Sequence, residues 1–482
     1  MSMIACLIVG AAATASAAEP PTMALDYQAR YDCQSGEPDH LLDAVEVAPD
    51  RIVVAGNRGL ALLDRTTLPA GGTTAYLDRF TGLNARNVYS GPDGNLYVNL
   101  SRVAGETSAG FAVVSVSGDT MSLVTAHDEP DTLYEKMAVA GAYLYVAAHS
   151  RGIRVIDITD PGNPFLVGRL DDGFTDAWAV APDGNDLWVA DGAGGLKRVN
   201  IADPANPVIL WGEDPETALG TAEDIVVGGG KIYVAAGGEG LLIYDPANLS
   251  IRETVATGGA AKDLEWVNGL LVAATLAGVV VVEPGDPATV VASELTSRRD
   301  QGRLRLCSAV GAVGDDEVIA SDWNYADIYR LADLTTSTVP DITCDTQRHR
   351  FDPAGGGVTV SCGNDGGVPL EIQGVQSSHP AFSVDLQPVT LDPGARVAFA
   401  IEYDGTPMSS AVVTVFSDDP DEDPLPIQVF GDTPFLDPRE TAVDFELPML
   451  SRDPVTRDLV EGTFRLSDHL GKVVWFQIYG YW

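Results

Sequence analysis

The chain has 482 residues, including 50 Gly and 30 Pro, with 29 Lys+Arg against 69 Asp+Glu and a formal net charge of −40. That length exceeds one core, and so many turn residues without a long amphipathic stretch point to a turn-rich β protein of two or three domains. The negative field repels nucleic acid and anionic lipid, so neither is an expected partner.

The chain opens MSMIACLIVGAAATASAAEP. Residues 4–13 form an apolar h-region and Ala15-Ser16-Ala17 an A-x-A site, which predicts a signal peptide over 1–17, cleaved near Ala17. The expected location is therefore the periplasm, cell surface or extracellular space. No Lys or Arg precedes the h-region, a departure from the pattern. Cys6 after Met3-Ile4-Ala5 resembles a lipoprotein box, but the apolar run follows the Cys, so a lipid anchor is the lesser alternative. No later span of 18 apolar residues occurs, so no transmembrane segment is expected beyond the leader. Residues 18–40 form a polar lead-in whose alternating centre, Leu25 to Tyr31, is a candidate strand for closing a ring on its last blade.

From 41 to 339 one pattern recurs. A short apolar strand is followed by a Gly and a second apolar strand: RIVVAG then GLALLD, YLYVAA then GIRVID, DLWVAD then GLKRVN, KIYVAA then GLLIYD, LLVAAT then GVVVVE. NLYVNL at Asn95 and EVIASD at Glu317 continue the series. With Ile52, Leu96, Leu144, Leu187, Ile232, Leu271 and Val318 as marks, the spacings are 44, 48, 43, 45, 39 and 47. Seven units of this length, each with room for four strands, predict a seven-bladed β-propeller. Asp160-Pro161-Gly162-Asn163-Pro164 is a turn, and Pro164 should open an edge strand. The D-P-x-N-P units at Asp160 and Asp203 resemble the LVIVD repeat, a propeller family of bacterial surface and secreted proteins. The resemblance implies an architecture, since propellers host many activities.

Several first strands begin with a polar residue before an apolar pair: Asp43, Asn87, Asp176, Asp224 and Asp263. They should lie near one channel mouth. They form either a rim for a ligand or weakly bound cation, or a set of acceptors for backbone N–H groups of the neighbouring blade. The acidic turn at 417–424, SDDPDEDP, lacks the Gly and distal Glu of an EF-hand. The six His are scattered and the Cys spacings do not resemble zinc sites, so no metal or cofactor is expected. Clustered glycines such as Gly228-Gly229-Gly230 join consecutive strands and read as hairpin turns, not phosphate loops.

Residues 340–433 carry short alternating strands at 358–361, 370–375, 382–386, 397–403, 411–416 and 427–430, the pattern of an Ig-like β-sandwich. Phe351-Asp352-Pro353, Asn364-Asp365-Gly366, Pro369 to Ile372, Leu391 to Gly394 and Ser417 to Pro420 together resemble the choice-of-anchor D modules, similar to the ASPM–SPD-2–Hydin group. That resemblance implies a spacer or adhesion module. Four Cys remain beyond the leader, an even count behind an export signal. The expected bridges are Cys344–Cys362 within the sandwich and Cys33–Cys307, brought together by ring closure. Cys307 is expected in the first strand of the seventh blade, at 304–310.

Residues 434–482 change character. Asp444-Phe445-Glu446-Leu447-Pro448, then Leu466-Ser467-Asp468 and Gly471-Lys472-Val473-Val474, resemble the opening of a redoxin of the peroxiredoxin or TlpA type. Residues 473–482 read as a buried central strand. The resemblance implies a Cys-x-x-Cys after that strand, which this chain does not contain. The fold class expected is thus mainly β: a seven-bladed propeller, an Ig-like sandwich and a truncated thioredoxin-like α/β start. Two functions follow. One is an exported interaction scaffold whose propeller face binds a protein or cell-surface partner. The other is a thiol–disulfide oxidoreductase or peroxidase whose cysteines lie beyond Trp482.

Overall fold

A computed structural model describes residues 4–5, 22–32, 41–56, 59–68, 76–81, 85–100, 110–129, 132–294, 307–321, 325–407, 409–420, 424–431, 446–452, 459–465 and 476–477. Among them the regular structure is strands and one 3-10 turn at Arg65–Thr67, with no α-helix.

Seven four-stranded antiparallel sheets come first. The third shows the plan: Met137–Ala140, Tyr143–Ala147, Ile153–Asp157 and Phe165–Leu170 pair in chain order. The strand after Pro164 is the outer edge strand, as its missing N–H requires. The other sheets occupy 41–81, 85–128, 179–212, 224–255, 261–294 and 309–333. Second and third strands are nearly continuously buried, as in Ile52 to Gly56 and Ile153 to Ile156, because a neighbouring sheet covers each face. Local chemistry sets the turns between strands. Asp157, Asp160, Asp203 and Asp245 each accept the N–H two residues on, the Asx turn that makes D-P-x-N-P a hairpin. Gly152 has φ +66°, and a Cβ there would meet the Leu170 carbonyl oxygen at 2.2 Å. Only glycine tolerates both demands.

Apolar clusters lie between successive sheets. Tyr145, Val155, Val180 and Val189 join the third to the fourth; Ile225, Val234, Trp188 and Ala190 join the fourth to the fifth. The series closes on itself, since Ala44, Ile52, Val54 and Leu63 of the first sheet pack with Val313, Ile319 and Ile328 of the seventh. The seventh sheet takes its fourth strand from the N-terminus: Met23–Asp32 pairs antiparallel with Tyr325–Asp333. Two cross-strand ion pairs set that register. Arg30 donates to both Asp327 oxygens, at 2.6 and 2.8 Å, with both side chains almost wholly buried. Arg330 pairs with fully buried Asp26.

A two-sheet sandwich follows. One sheet orders Ile342–Cys344, Gly356–Asn364, Arg396–Tyr403 and Phe382–Val384. The other orders Arg348–Arg350, Leu425–Phe430, Ser410–Ser417, Leu370–Ser377 and Val389–Leu391. Arg396–Tyr403 and Ser410–Ser417 alternate exposed and buried, and their inward residues Phe399, Ile401, Val413 and Val415 share one core with Phe351, Phe382 and Ile427. Cys344 and Cys362 stand opposite each other on adjacent strands, Cα atoms 4.0 Å apart, and form a disulfide. The turn at Gly366 and Gly367 lies tight against the chain entering the sandwich: a Cβ on Gly366 would meet the Val339 carbonyl oxygen at 2.3 Å.

Other expectations resolve differently. The first strand of the seventh sheet is Ala309–Val313, so Cys307 precedes the strand instead of lying in it. The Cys307 N–H turns away from the facing strand and donates to the Thr275 carbonyl of the sixth sheet at 3.0 Å. Cys33, Cys6 and most of 1–17 lie outside the described residues. Within 434–482 the described residues form a hairpin, Glu446–Arg452 with Leu459–Arg465, and Phe476–Gln477 pairs with Ile4–Ala5. The rest of 473–482 lies outside them.

Two outcomes follow. Asp327→Ala leaves the Arg30 guanidinium in an apolar setting without its bidentate acceptor, and should cost about 3 kcal/mol in denaturant unfolding. The double change Arg30→Met, Asp327→Leu should recover most of it. Replacing Cys344 and Cys362 together by Ser should lower sandwich stability by about 3 kcal/mol, the value for a loop of this size.

Candidate binding site at the channel mouth

The first strands of the seven sheets surround a central channel, and backbone hydrogen bonds define equivalent positions at one mouth. The N–H groups of Glu135, Trp178, Glu223 and Ser308 donate to the carbonyls of Ala147, Ala190, Ala235 and Ser321, the same bond in four sheets. Leu42, Arg86 and Lys262 hold this position in the first, second and sixth. These seven side chains, one per sheet, line a cavity of about 280 Å³ together with Asn87, Lys136, Leu276 and Cys307.

The next residue inward forms a second ring: Asp43, Asn87, Lys136, Ala179, Asp224, Asp263 and Ala309. Its carboxylates staple one sheet to the next. Asp43 accepts the N–H of Val88 at 2.9 Å, Asp224 that of Leu264 at 2.8 Å and Asp263 that of Val310 at 2.7 Å. In the second sheet Asn99 does similar work. It accepts from the Arg86 and Asn87 N–H groups and donates to the Tyr134 and Glu135 carbonyls. Four of the five residues expected on the rim thus lie in one ring. Asp176 does not; Ala179 holds its place in the fourth sheet. Asp176 stands three residues earlier, outside the ring, where it meets His149 and Trp178.

Lys136 escaped the sequence reading because it is basic where other members are acidic. The interval gave the signal: 136 to 179 equals Leu144 to Leu187, 43 residues. Its ammonium crosses the channel to Asp224, at 2.6 Å, and to Asp263. The chain therefore supplies the cation for the acids of its own ring. Just inward lies Glu265, whose carboxyl is pushed up to about 7 by burial and by Asp224 and Asp43, against the pull of the Trp266 N–H and Lys136. Burial likewise pushes Asp43 up to about 6.

At the mouth each described cation has a carboxylate. Arg86 pairs with Glu135 at 2.6 Å and Lys262 with Glu223 at 2.6 Å. Glu135 also meets His149 Nε2 at 2.9 Å, while His149 Nδ1 meets Asp176 at 2.8 Å. Both imidazole nitrogens are thus committed to carboxylates. Neither is placed to activate a nucleophile, and the Ser308 hydroxyl bonds Leu41 and Ser321 carbonyls instead. This arrangement suits recognition of a polar group by paired charges beside an indole. In the sandwich, Asp418 and Asp419 of the acidic turn accept the N–H groups of Glu371 and Ile342.

A native Glu265 with a carboxyl near 7 keeps a proton that the unfolded chain releases above about 4.5. Stability should therefore fall as pH rises from about 4.5 to about 7, with Asp43 adding to the lower part of that window. Glu265→Gln should flatten the decline, by on the order of 2 kcal/mol across the window, read from urea midpoints at pH 5, 6 and 7.

The LVIVD repeat family matches residues 135–172, 175–211 and 219–257, the third, fourth and fifth sheets with the residues leading into them. No curated protein matches the chain in sequence. Among solved structures, a chain of a mitotic checkpoint complex is 12% identical with a TM-score of 0.50, covering 68% of this chain and 100% of that one. The WD40 β-propeller domain of Doa1 is 12% identical with a TM-score of 0.47, covering 64% of this chain and 97% of its own. The repeats, the closed series of sheets and the first likeness make this a repeat β-propeller.

Proposed function

We propose that the chain is an exported interaction scaffold whose channel mouth binds a partner and which performs no catalysis itself. In this reading the seven sheets are the blades of a seven-bladed propeller over 41–339, with 18–40 closing the ring. Residues 340–433 are an Ig-like spacer of the choice-of-anchor D kind, and 434–482 begin a redoxin. The observation that carries the reading is the mouth. The seven sheets place six kinds of side chain around one cavity, so the repeat backbone is uniform while its recognition surface is not. Three cations, two carboxylates and the Trp178 indole share that surface. Repeat folds use such surfaces for binding.

The other reading, a thiol–disulfide oxidoreductase or peroxidase, rests on the redoxin-like motifs of the tail and needs a Cys pair after residue 473. One experiment tests the mouth as the binding surface. A photo-crosslinking residue at position 42 of the full chain should capture one macromolecule from an envelope fraction. The same residue at position 208, on an outer strand, should not. Arg86→Glu with Lys262→Glu should lower the capture about tenfold, and the chain should reduce neither insulin disulfides nor peroxide above background. Equal capture from both positions would refute the mouth as the binding surface, and turnover by this chain, which holds no cysteine pair in its redoxin-like part, would count against both readings.

A further inference from the structure

Three consecutive repeats share one hairpin geometry between their second and third strands. Ala148, Asp191 and Ala236 donate to the carbonyls of Gly152, Gly195 and Gly240. The next residue bridges to the following sheet: His149 with Ala177, Gly192 with Ala222, Gly237 with Ala261. All three have left-handed backbones, φ +51°, +54° and +56°. Two repeats use the glycine this conformation favours, while the third holds a histidine there at a conformational cost. Packing does not account for it, since the ring makes polar contacts at both nitrogens.

Those contacts join two sheets. Glu135 belongs to the third sheet and is 4% exposed; Asp176 leads into the fourth and is 40% exposed. The charged groups around the ring are few. Arg86 of the second sheet holds Glu135. The Trp178 indole N–H donates to Asp176 at 3.0 Å, and its ring meets the imidazole edge-on. Asp191, held by Lys197, accepts the N–H groups of Thr175 and Asp176. Glu223 and Lys262 of the neighbouring fifth and sixth sheets pair with each other, and Lys136 turns inward to Asp224 and Asp263.

We propose that His149 is a proton-operated clasp between the third and fourth sheets at the channel mouth, closed when both ring nitrogens carry protons and released on the Asp176 side when one leaves. An imidazolium donates to both carboxylates, whereas a neutral ring has a single N–H and turns a lone pair to the other acid. Glu135 keeps the remaining bond, because it is buried and cannot rehydrate. Asp176 is half in water and is let go. The two carboxylate hydrogen bonds raise the imidazole above its usual 6.5 against the desolvation that lowers it. A raised base stabilises the closed form below about 6.5, and that contribution is lost as pH rises through the folded value.

The test is a histidine and indole NMR titration of the full chain in a Glu265→Gln background, with His149→Gly to assign the resonance. Gly192 and Gly237 take the same backbone, so that variant keeps the fold. His149 should titrate above 6.5, and the Trp178 indole N–H should follow the same curve. Amide exchange at residues 148–152 and 175–178, corrected for its intrinsic pH dependence, should quicken by up to about tenfold per pH unit through the titration. Asp176→Asn should move the midpoint down. A midpoint at or below 6.5, or the same exchange profile in His149→Gly, would overturn the clasp.

Discussion

A ring of sheets must close, and here closure depends on pairing Met23–Asp32 with Tyr325–Asp333. Without it the last sheet would have three strands and a bare edge. The Arg30–Asp327 and Asp26–Arg330 pairs are direct cross-strand neighbours, so a slip of one residue would break both and leave the buried Asp26, Arg30 and Asp327 charges without these partners. Asp26 also accepts the Thr338 N–H, in the chain leading out of the ring. One buried carboxylate therefore ties the ring-closing strand to the segment that leads into the sandwich.

The inner rings show how a repeat fold separates scaffold from surface. Backbone hydrogen bonds at the mouth are repeated from sheet to sheet, while the side chains there run from Leu42 through Arg86 and Trp178 to Ser308. One residue further in, the carboxylates turn to neighbouring N–H groups and hold the sheets together. A ring of acids alone would repel itself in a narrow channel. Lys136 relieves this from the opposite wall, and Glu265 does so by holding its proton to a higher pH than an ordinary carboxyl. The third sheet is the asymmetric one: it contributes both Lys136 and the His149 contact to the fourth.

The sandwich is built by another rule. Its strands are buried on one face, so they alternate, whereas the second and third strands of the ring's sheets are buried on both and run almost continuously apolar. Asn364 organises the junction with the ring. It is fully buried, donates to the Val368 and Leu391 carbonyls, and accepts from Gly366. The turn it shapes lies on residues 337–341, where a side chain at Gly366 would collide with the backbone.

The sequence alone determined the elements of regular periodicity. The interval of about 45 residues, the Gly at the head of most third strands and the D-P-x-N-P turns are local, repeated and read without knowing what lies across the ring. So is the alternation of the sandwich, where short strands such as Val389–Leu391 were missed because three residues carry no period. Contacts between repeats, in contrast, arise only in the folded ring. Lys136 meets Asp263, 127 residues away, and no local pattern encodes a reach across the channel. Asp176 looked like a ring member because it precedes an apolar pair, yet it lies three residues out of register, and hydrogen-bond equivalence alone reveals this. His149 was one scattered histidine in sequence. Its meaning came from a left-handed backbone angle and two carboxylates on different sheets, since closing the ring brings together groups that chain order keeps apart.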